Sequence, residues 1–188
     1  MRIIGGKMRG TALVGVGAGD PGAQLRPTTD RVRESIFNLL LNGGYGNPVA
    51  GARVLDLFAG TGALGLEALS RGAGSVTFVE QGRKAQALLT ANIAKCRAGE
   101  ETTVIRRDAT RLGDCAVPYD LILLDPPYGT DLGARALAAA LRGGWLANGA
   151  LVMWEDDTAP LPPAGLVQRD QRRYGSTVIT ILQREPDV

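Results

Sequence analysis

From Arg53 onward short apolar runs alternate with longer amphipathic ones, and this rhythm restricts the fold more than any other feature of the chain. RVLDLF (53–58), SVTFVE (75–80), TTVIRRD (102–108), YDLILLD (119–125) and GALVMWE (149–155) read as five buried strands. Between them, GALGLEALSRGA (62–73), GRKAQALLTANIAKCR (82–97) and LGARALAAALRGG (132–144) read as helices. Apolar strands separated by helices predict βαβ units and a mostly parallel sheet wound on both faces. After Pro163, AGLVQRDQRRYGSTVITIL (164–182) carries no helical period and predicts two further strands joined near RRYGS, an antiparallel hairpin at the sheet edge. The connecting DDTAPLPPAG (156–165) is too short and proline-rich for another helix.

Two elements precede this array. MRIIGGKMRGTALVGV (1–16) has apolar stretches broken by glycines and predicts a small β-hairpin, followed by the Gly- and Pro-rich loop GAGDPGAQLRPTT (17–29). TTDRVRESIFNLLLN (28–42) predicts a helix capped by Thr29 or Asp30, with Val32, Ile36, Phe37, Leu39 and Leu40 on its apolar face. The expected division is a hairpin and basic loop over 1–28 and a Rossmann-like domain over 29–188.

The 188 residues suffice for one well-cored domain. No apolar run approaches the roughly 20 residues of a membrane helix, and no apolar core of a secretory signal follows Met1, so a cytoplasmic protein is expected. Cys96 and Cys115 lie in unrelated contexts, which argues against a disulfide or structural zinc. The chain has no histidine, removing the commonest general base and metal ligand together. Residues 1–33 hold six basic residues (Arg2, Lys7, Arg9, Arg26, Arg31, Arg33) against Asp20 and Asp30, although the whole chain is only +2. A basic arm on a near-neutral domain suits phosphate contacts, as it also suits a merely solvated face.

VLDLFAGTGALG places Gly60, Gly62 and Gly65 in a G-x-G-x-x-G array between first strand and first helix, with Glu80 twenty positions beyond Gly60. That pattern fits a nucleoside cofactor whose ribose hydroxyls meet the acid. Asp56, inside the first strand, would oppose a pyrophosphate and welcome a cation. S-adenosylmethionine, with an ammonium and a sulfonium, therefore suits Asp56 and Glu80 better than a dinucleotide. Asp108 ends the third strand, where it can accept from an adenine amine.

The fourth strand ends in Asp125, Pro126, Pro127 and Tyr128. Two prolines freeze φ twice and delete two backbone donors, so this loop is rigid. Beside a sulfonium methyl, the Asp125 carboxylate and Pro126 carbonyl would accept both N–H groups of an exocyclic base amine and localise its lone pair. Tyr128 would stack on a base taken out of its helix. No metal is required.

DPPY together with VLDLFAGTGALGLEALSRGA resembles the amino-methyltransferases, and RIIGG with LRPTTDRVRESIFNLL resembles the RsmD family, over nearly the whole chain. The resemblance implies a class I S-adenosylmethionine-dependent fold of seven strands and methylation of a guanine N2 amine in 16S ribosomal RNA. It further implies cofactor contacts at Asp56, Phe58, Gly60, Gly62, Glu80 and Asp108, closure by Arg26 and Thr28, and catalysis by Asp125, Pro126, Pro127 and Tyr128. RNA would meet Arg2, Lys7 and Arg9, the partner being the small ribosomal subunit and the enzyme a monomer. A DNA amino-methyltransferase shares this chemistry but lacks room here for a target-recognition region. A cytosine-C5 methyltransferase needs a cysteine in the catalytic turn, and neither Cys96 nor Cys115 stands there. An NAD-dependent dehydrogenase leaves DPPY unexplained, and an RNA chaperone explains only the basic arm.

Overall fold

A computed structural model describes residues 1–15 and 28–186. Arg26 and the expected loop over 17–27 lie outside the described residues. Seven strands form one sheet: β1 (Arg53–Leu57), β2 (Ser75–Val79), β3 (Thr102–Ile105), β4 (Tyr119–Leu124), β5 (Leu146–Asp156), β6 (Leu166–Tyr174) and β7 (Thr177–Arg184), in the order β3-β2-β1-β4-β5-β7-β6. The first five are parallel; β7 runs antiparallel to β5 and to β6. The seven-stranded expectation and its C-terminal hairpin are borne out. Pro160, Pro162 and Pro163 keep the β5–β6 connection free of helix among the described residues.

Helices cover both faces because each strand alternates its side chains. Val54, Phe78, Leu121, Leu123 and Met153 face one core, shared with α1 (Asp30–Asn42), α2 (Ala63–Ser70) and α3 (Arg83–Lys95). Leu55, Leu57, Ile122, Leu124 and Val152 face the other, closed by α4 (Leu132–Arg142) and the single turn Ala109–Arg111. Thr29 caps α1, its hydroxyl accepting from Val32 N–H at 3.3 Å.

The N-terminal hairpin is less regular than expected. Among the described residues only Arg2 and Ala12 form a ladder bridge there, flanked by Ile3 N–H to Thr11 O and Gly10 N–H to Ile3 O. Its glycines divert the backbone toward α2 instead. Gly6, at φ 74°, lies so close to Ser70 that a Cβ would stand 1.8 Å from the Ser70 carbonyl oxygen. Ile3 and Leu13 are buried in the core of α1 and α2, so these residues are packed into the domain rather than appended to it.

The docking centres on Glu67 of α2, which is fully buried. Its carboxylate accepts from Ile4 N–H and Gly5 N–H, both at 2.8 Å, and from Arg71 Nε at 2.7 Å. Arg33 of α1, also fully buried, places Nε 3.7 Å from Glu67 Oε2. The guanidinium also donates to the Arg2 carbonyl, to Asp30 at 2.8 Å and to the Thr28 carbonyl at 3.5 Å. Glu67→Ala would leave two backbone donors and Arg71 Nε without their acceptor and would reduce Arg33 to its Asp30 partner, a loss of about 3 kcal/mol. Denaturant titration checks this, and a loss under about 1 kcal/mol would mean that the N-terminal segment is held by its apolar contacts alone.

Candidate active site

The carboxyl ends of the parallel strands gather the acids. Leu57 of β1 pairs with Leu124 of β4, so Phe58 and Asp125 leave the sheet side by side. Phe58 adopts φ 61°, a left-handed conformation that a bulky residue takes only under constraint, and it turns the chain sharply into the glycine loop. Gly60 and Gly62 follow at φ 55° and 79°, where a side chain would be strained, and Gly62 caps α2.

Gly60 and Gly65 are each tied to an acid, whereas Gly62 N–H donates to the Ala59 carbonyl at 2.7 Å. Glu80 accepts from Gly60 N–H at 2.8 Å and, through its other oxygen, from Gly82 N–H at 2.7 Å. It thereby shapes the loop while standing at the end of β2. Asp56, only 1% exposed, accepts from Gly65 N–H at 2.9 Å and joins β1 to the first turn of α2. A Cβ on Gly65 would stand 2.4 Å from the Phe78 ring, so this third glycine serves helix-to-strand packing. Burial pushes the Asp56 carboxyl up to about 7; the Gly65 bond opposes that shift and Glu80 adds to it. Asp108 takes both Thr110 N–H and Thr110 Oγ1 on one oxygen, at 2.8 Å each, and the backbone bond holds its carboxyl below the ordinary value.

Asp125 meets two residues remote from it in sequence. The Thr28 hydroxyl lies 3.1 Å from Asp125 Oδ2 and 3.0 Å from Glu155 Oε2. A hydroxyl has one proton to give, so both contacts are hydrogen bonds only when one carboxyl is protonated. Burial raises Asp125 well above the ordinary carboxylate value, and the Glu155 charge raises it further, against the Thr28 bond. Tyr128 donates its hydroxyl to Glu155 Oε1 at 3.0 Å, which fixes the ring at the mouth of the turn. Thr130 donates to the Pro127 carbonyl at 2.7 Å, whereas the Pro126 carbonyl accepts no hydrogen bond among the described residues. Gly133 allows α4 to approach this turn: a Cβ there would stand 2.5 Å from Trp154 and 2.9 Å from Pro126.

The first 183 residues match the family model described as conserved hypothetical protein 95. This chain belongs to that family, the RsmD family. Ribosomal RNA small subunit methyltransferase D of Escherichia coli K12 is 37% identical over 98% of the chain and 90% of its own length. The protein of the same name from Haemophilus influenzae is 35% identical over 84% of the chain and 79% of its own. The solved structure of yhhF from Escherichia coli superposes with TM-score 0.82 at 36% identity, covering all of this chain and 99% of the other. This member of the RsmD family is a methyltransferase with the class I fold.

The structure thus brings Thr28, Asp56, Phe58, Gly60, Gly62, Glu80 and Asp125 to Tyr128 to one edge of the sheet, with Asp108 on the same edge at the end of β3. The expected RNA contacts are distributed differently. Arg2 stands near Asp30, but Lys7 sits 3.5 Å from Glu101, ahead of β3 at the opposite edge. The Gly6 turn docks on the C-terminal end of α2 through Lys7 N–H to Ser70 O, and Arg9 N–H closes that turn on Gly6 O at 3.2 Å. Sequence reasoning missed Glu155, although it carries the signal used for the other acids: a carboxylate at the end of an apolar strand.

Asp56 carries a pH signature. Its proton is held more tightly in the folded chain than in the unfolded one, so its contribution is full below about pH 4 and is lost as pH rises through about 7. Asp56→Asn keeps an acceptor for Gly65 and removes the buried charge. It should raise ligand-free stability at pH 8 by up to roughly 4 kcal/mol and at pH 5 by less than half as much. Melting curves at both pH values check this; an equal shift at both would assign the effect to packing.

Proposed function

We propose that this methyltransferase carries the methyl group of S-adenosylmethionine to the exocyclic N2 amine of a guanine in 16S ribosomal RNA, acting in the cytoplasm as a monomer on the assembled or assembling small subunit. The observation that carries this reading is the Asp125-Pro126-Pro127-Tyr128 turn, which leaves the sheet beside the glycine loop on a directly paired strand. The groups facing that junction suit the cofactor. Asp56, Glu80, Asp108 and Asp125 are all acceptors, suited to hydroxyls, amines and positive charge and unsuited to a pyrophosphate. Among the described residues no cluster of metal-ligating side chains accompanies them.

The chain's own groups divide the work. Asp125 and the Pro126 carbonyl accept the two N–H groups of the target amine, which draws its lone pair out of the ring and aims it at the neighbouring strand. Bound S-adenosylmethionine supplies an electrophilic methyl group, whose bonding pair departs with sulfur. Holding the reactants in line supplies the largest share of the rate, up to roughly 7 to 11 kcal/mol in favourable cases. As the nitrogen gains a bond it sheds a proton, and Asp125 is placed to receive it. The raised affinity of Asp125 for protons makes its ionised form a better base than an exposed aspartate. Glu155 and Thr28 act through other residues, one orienting Tyr128 and both setting the charge on Asp125.

Two measurements test the reading. Methyl transfer from labelled S-adenosylmethionine to small subunits from a strain lacking the gene, followed by nucleoside analysis, should yield N2-methylguanosine; label in DNA alone would assign the substrate elsewhere. Asp125→Ala should reduce transfer by at least about 10²-fold with cofactor affinity nearly unchanged, and joint loss of both would make the residue structural. Transfer by the native chain should fall on acidification, with a midpoint above the ordinary carboxylate range. Glu155→Gln, which removes the neighbouring charge, should move that midpoint downward; an unmoved midpoint would separate Glu155 from the reaction.

A further inference from the structure

On the far side of α1 from the N-terminal segment, α1 and the edge strand β6 enclose a groove of about 700 Å³, lined by Ser35, Asn38 and Asn42 from the helix and by Asp170, Arg172 and Tyr174 from the strand. We propose that this groove is the path of the single-stranded RNA that leads to the target base, gripped at its phosphates by Arg31, Arg169 and Arg172. The proposal rests on the RNA substrate argued above and adds where that RNA lies.

The groove is continuous with the catalytic edge. Arg172 of β6 pairs with Ile179 of β7, which pairs with Glu155 of β5, so Arg172 is in register with the acid that holds Tyr128. Two positions nearer the edge, Tyr174 pairs with Thr177, whose Oγ1 is 3.4 Å from the Tyr128 hydroxyl. From the opposite wall, Arg31, Ser35, Asn38 and Asn42 recur every three or four residues and form one stripe of α1. That stripe starts three residues after Thr28, beside Asp125, and runs away from it. A strand laid in the groove therefore arrives at the catalytic turn from both walls.

Its chemistry suits a polyanion with flat bases. Arg31, Arg169 and Arg172 are exposed. Arg172 is also oriented, since Asp170 takes its Nη2 at 3.1 Å and its Nε at 3.3 Å. Asp170 is engaged by that pair; Arg31 and Arg169, like Glu34, flank the groove without lining it, and the two arginines outnumber the one acid there. Tyr45 stands close enough that burial and Asp170 raise its hydroxyl while Arg169 and Arg172 lower it. Tyr45 and Tyr174, both half-buried against the core, offer fixed aromatic faces, Tyr45 beside Arg169 and Arg172. Aromatic faces with a basic track are the usual means of holding a single strand without reading its sequence. Lys7 and Arg9, about one α2 length (~12 Å) from the catalytic edge, are less directly placed for this.

Arginines on an edge strand also discourage pairing with other sheets, and the experiment separates the two roles. Small subunits from the strain lacking the gene are titrated with native protein and with the Arg31→Gln/Arg169→Gln/Arg172→Gln variant across a range of salt. Losing three phosphate contacts should flatten the log–log salt dependence by about 2 and raise KM for subunits at least about tenfold, with kcat at saturation and S-adenosylmethionine affinity unchanged. Asn38→Asp, a single exposed change placing an anion in the groove, should raise KM alone, and Arg172→Lys should keep the salt dependence. Unchanged salt dependence and KM, or self-association as the sole effect, overturn the groove while leaving the methylation reading intact. Native protein that neither binds nor methylates subunits overturns that reading first.

Discussion

Glu67 is a carboxylate with no access to water, and burying it is affordable only because every neighbour is a donor. Two backbone N–H groups of the N-terminal segment and the Arg71 guanidinium bond to it, with the Arg33 guanidinium beside it. Burying a charge costs several kcal/mol unless such a shell is complete, so the segment, α1 and α2 can assemble only together. The arrangement reaches the chemistry through Arg33, which also binds the Thr28 carbonyl, while Thr28 bridges Asp125 and Glu155. α2 is fixed in turn by Asp56 through Gly65. The glycine loop and the threonine beside Asp125 thus share one anchor.

The second constraint is the crowding of acids at one end of the sheet. Asp56, Glu80, Asp108, Asp125 and Glu155 belong to five adjacent parallel strands, and burial together with mutual repulsion raises Asp56 and Asp125. A fold optimised for stability alone would not place them there. Strain of this kind is retained where a ligand or a reaction uses it. A cationic ligand relieves the repulsion, and an acid with a raised proton affinity is suited to take a proton from an amine.

Much of the architecture was legible in local pattern. The apolar runs, the caps, the glycine loop and the paired prolines each declare a conformation within a few residues. The five parallel strands and the edge hairpin followed from them, as did the absence of a helix from the proline-rich DDTAPLPPAG stretch. The N-terminal hairpin is less regular than its apolar stretches broken by glycines predict, because Gly5 and Gly6 serve a close approach to α2 rather than a ladder. Gly65 completes the glycine array of the loop, and the Phe78 ring beside it gives its reason.

The sequence by itself determined the element types, their order, the acids at the strand ends and the rigidity of the Asp125-Pro126-Pro127-Tyr128 turn, because these depend on periodicity and on residues with restricted φ. Only the tertiary structure decided which acids act together. Thr28 reaches Asp125 across 97 positions and Glu155 across 127, and α1 meets β6 from the other end of the chain. Such meetings depend on sheet order and on the buried Glu67–Arg33 contact, and no local period encodes either.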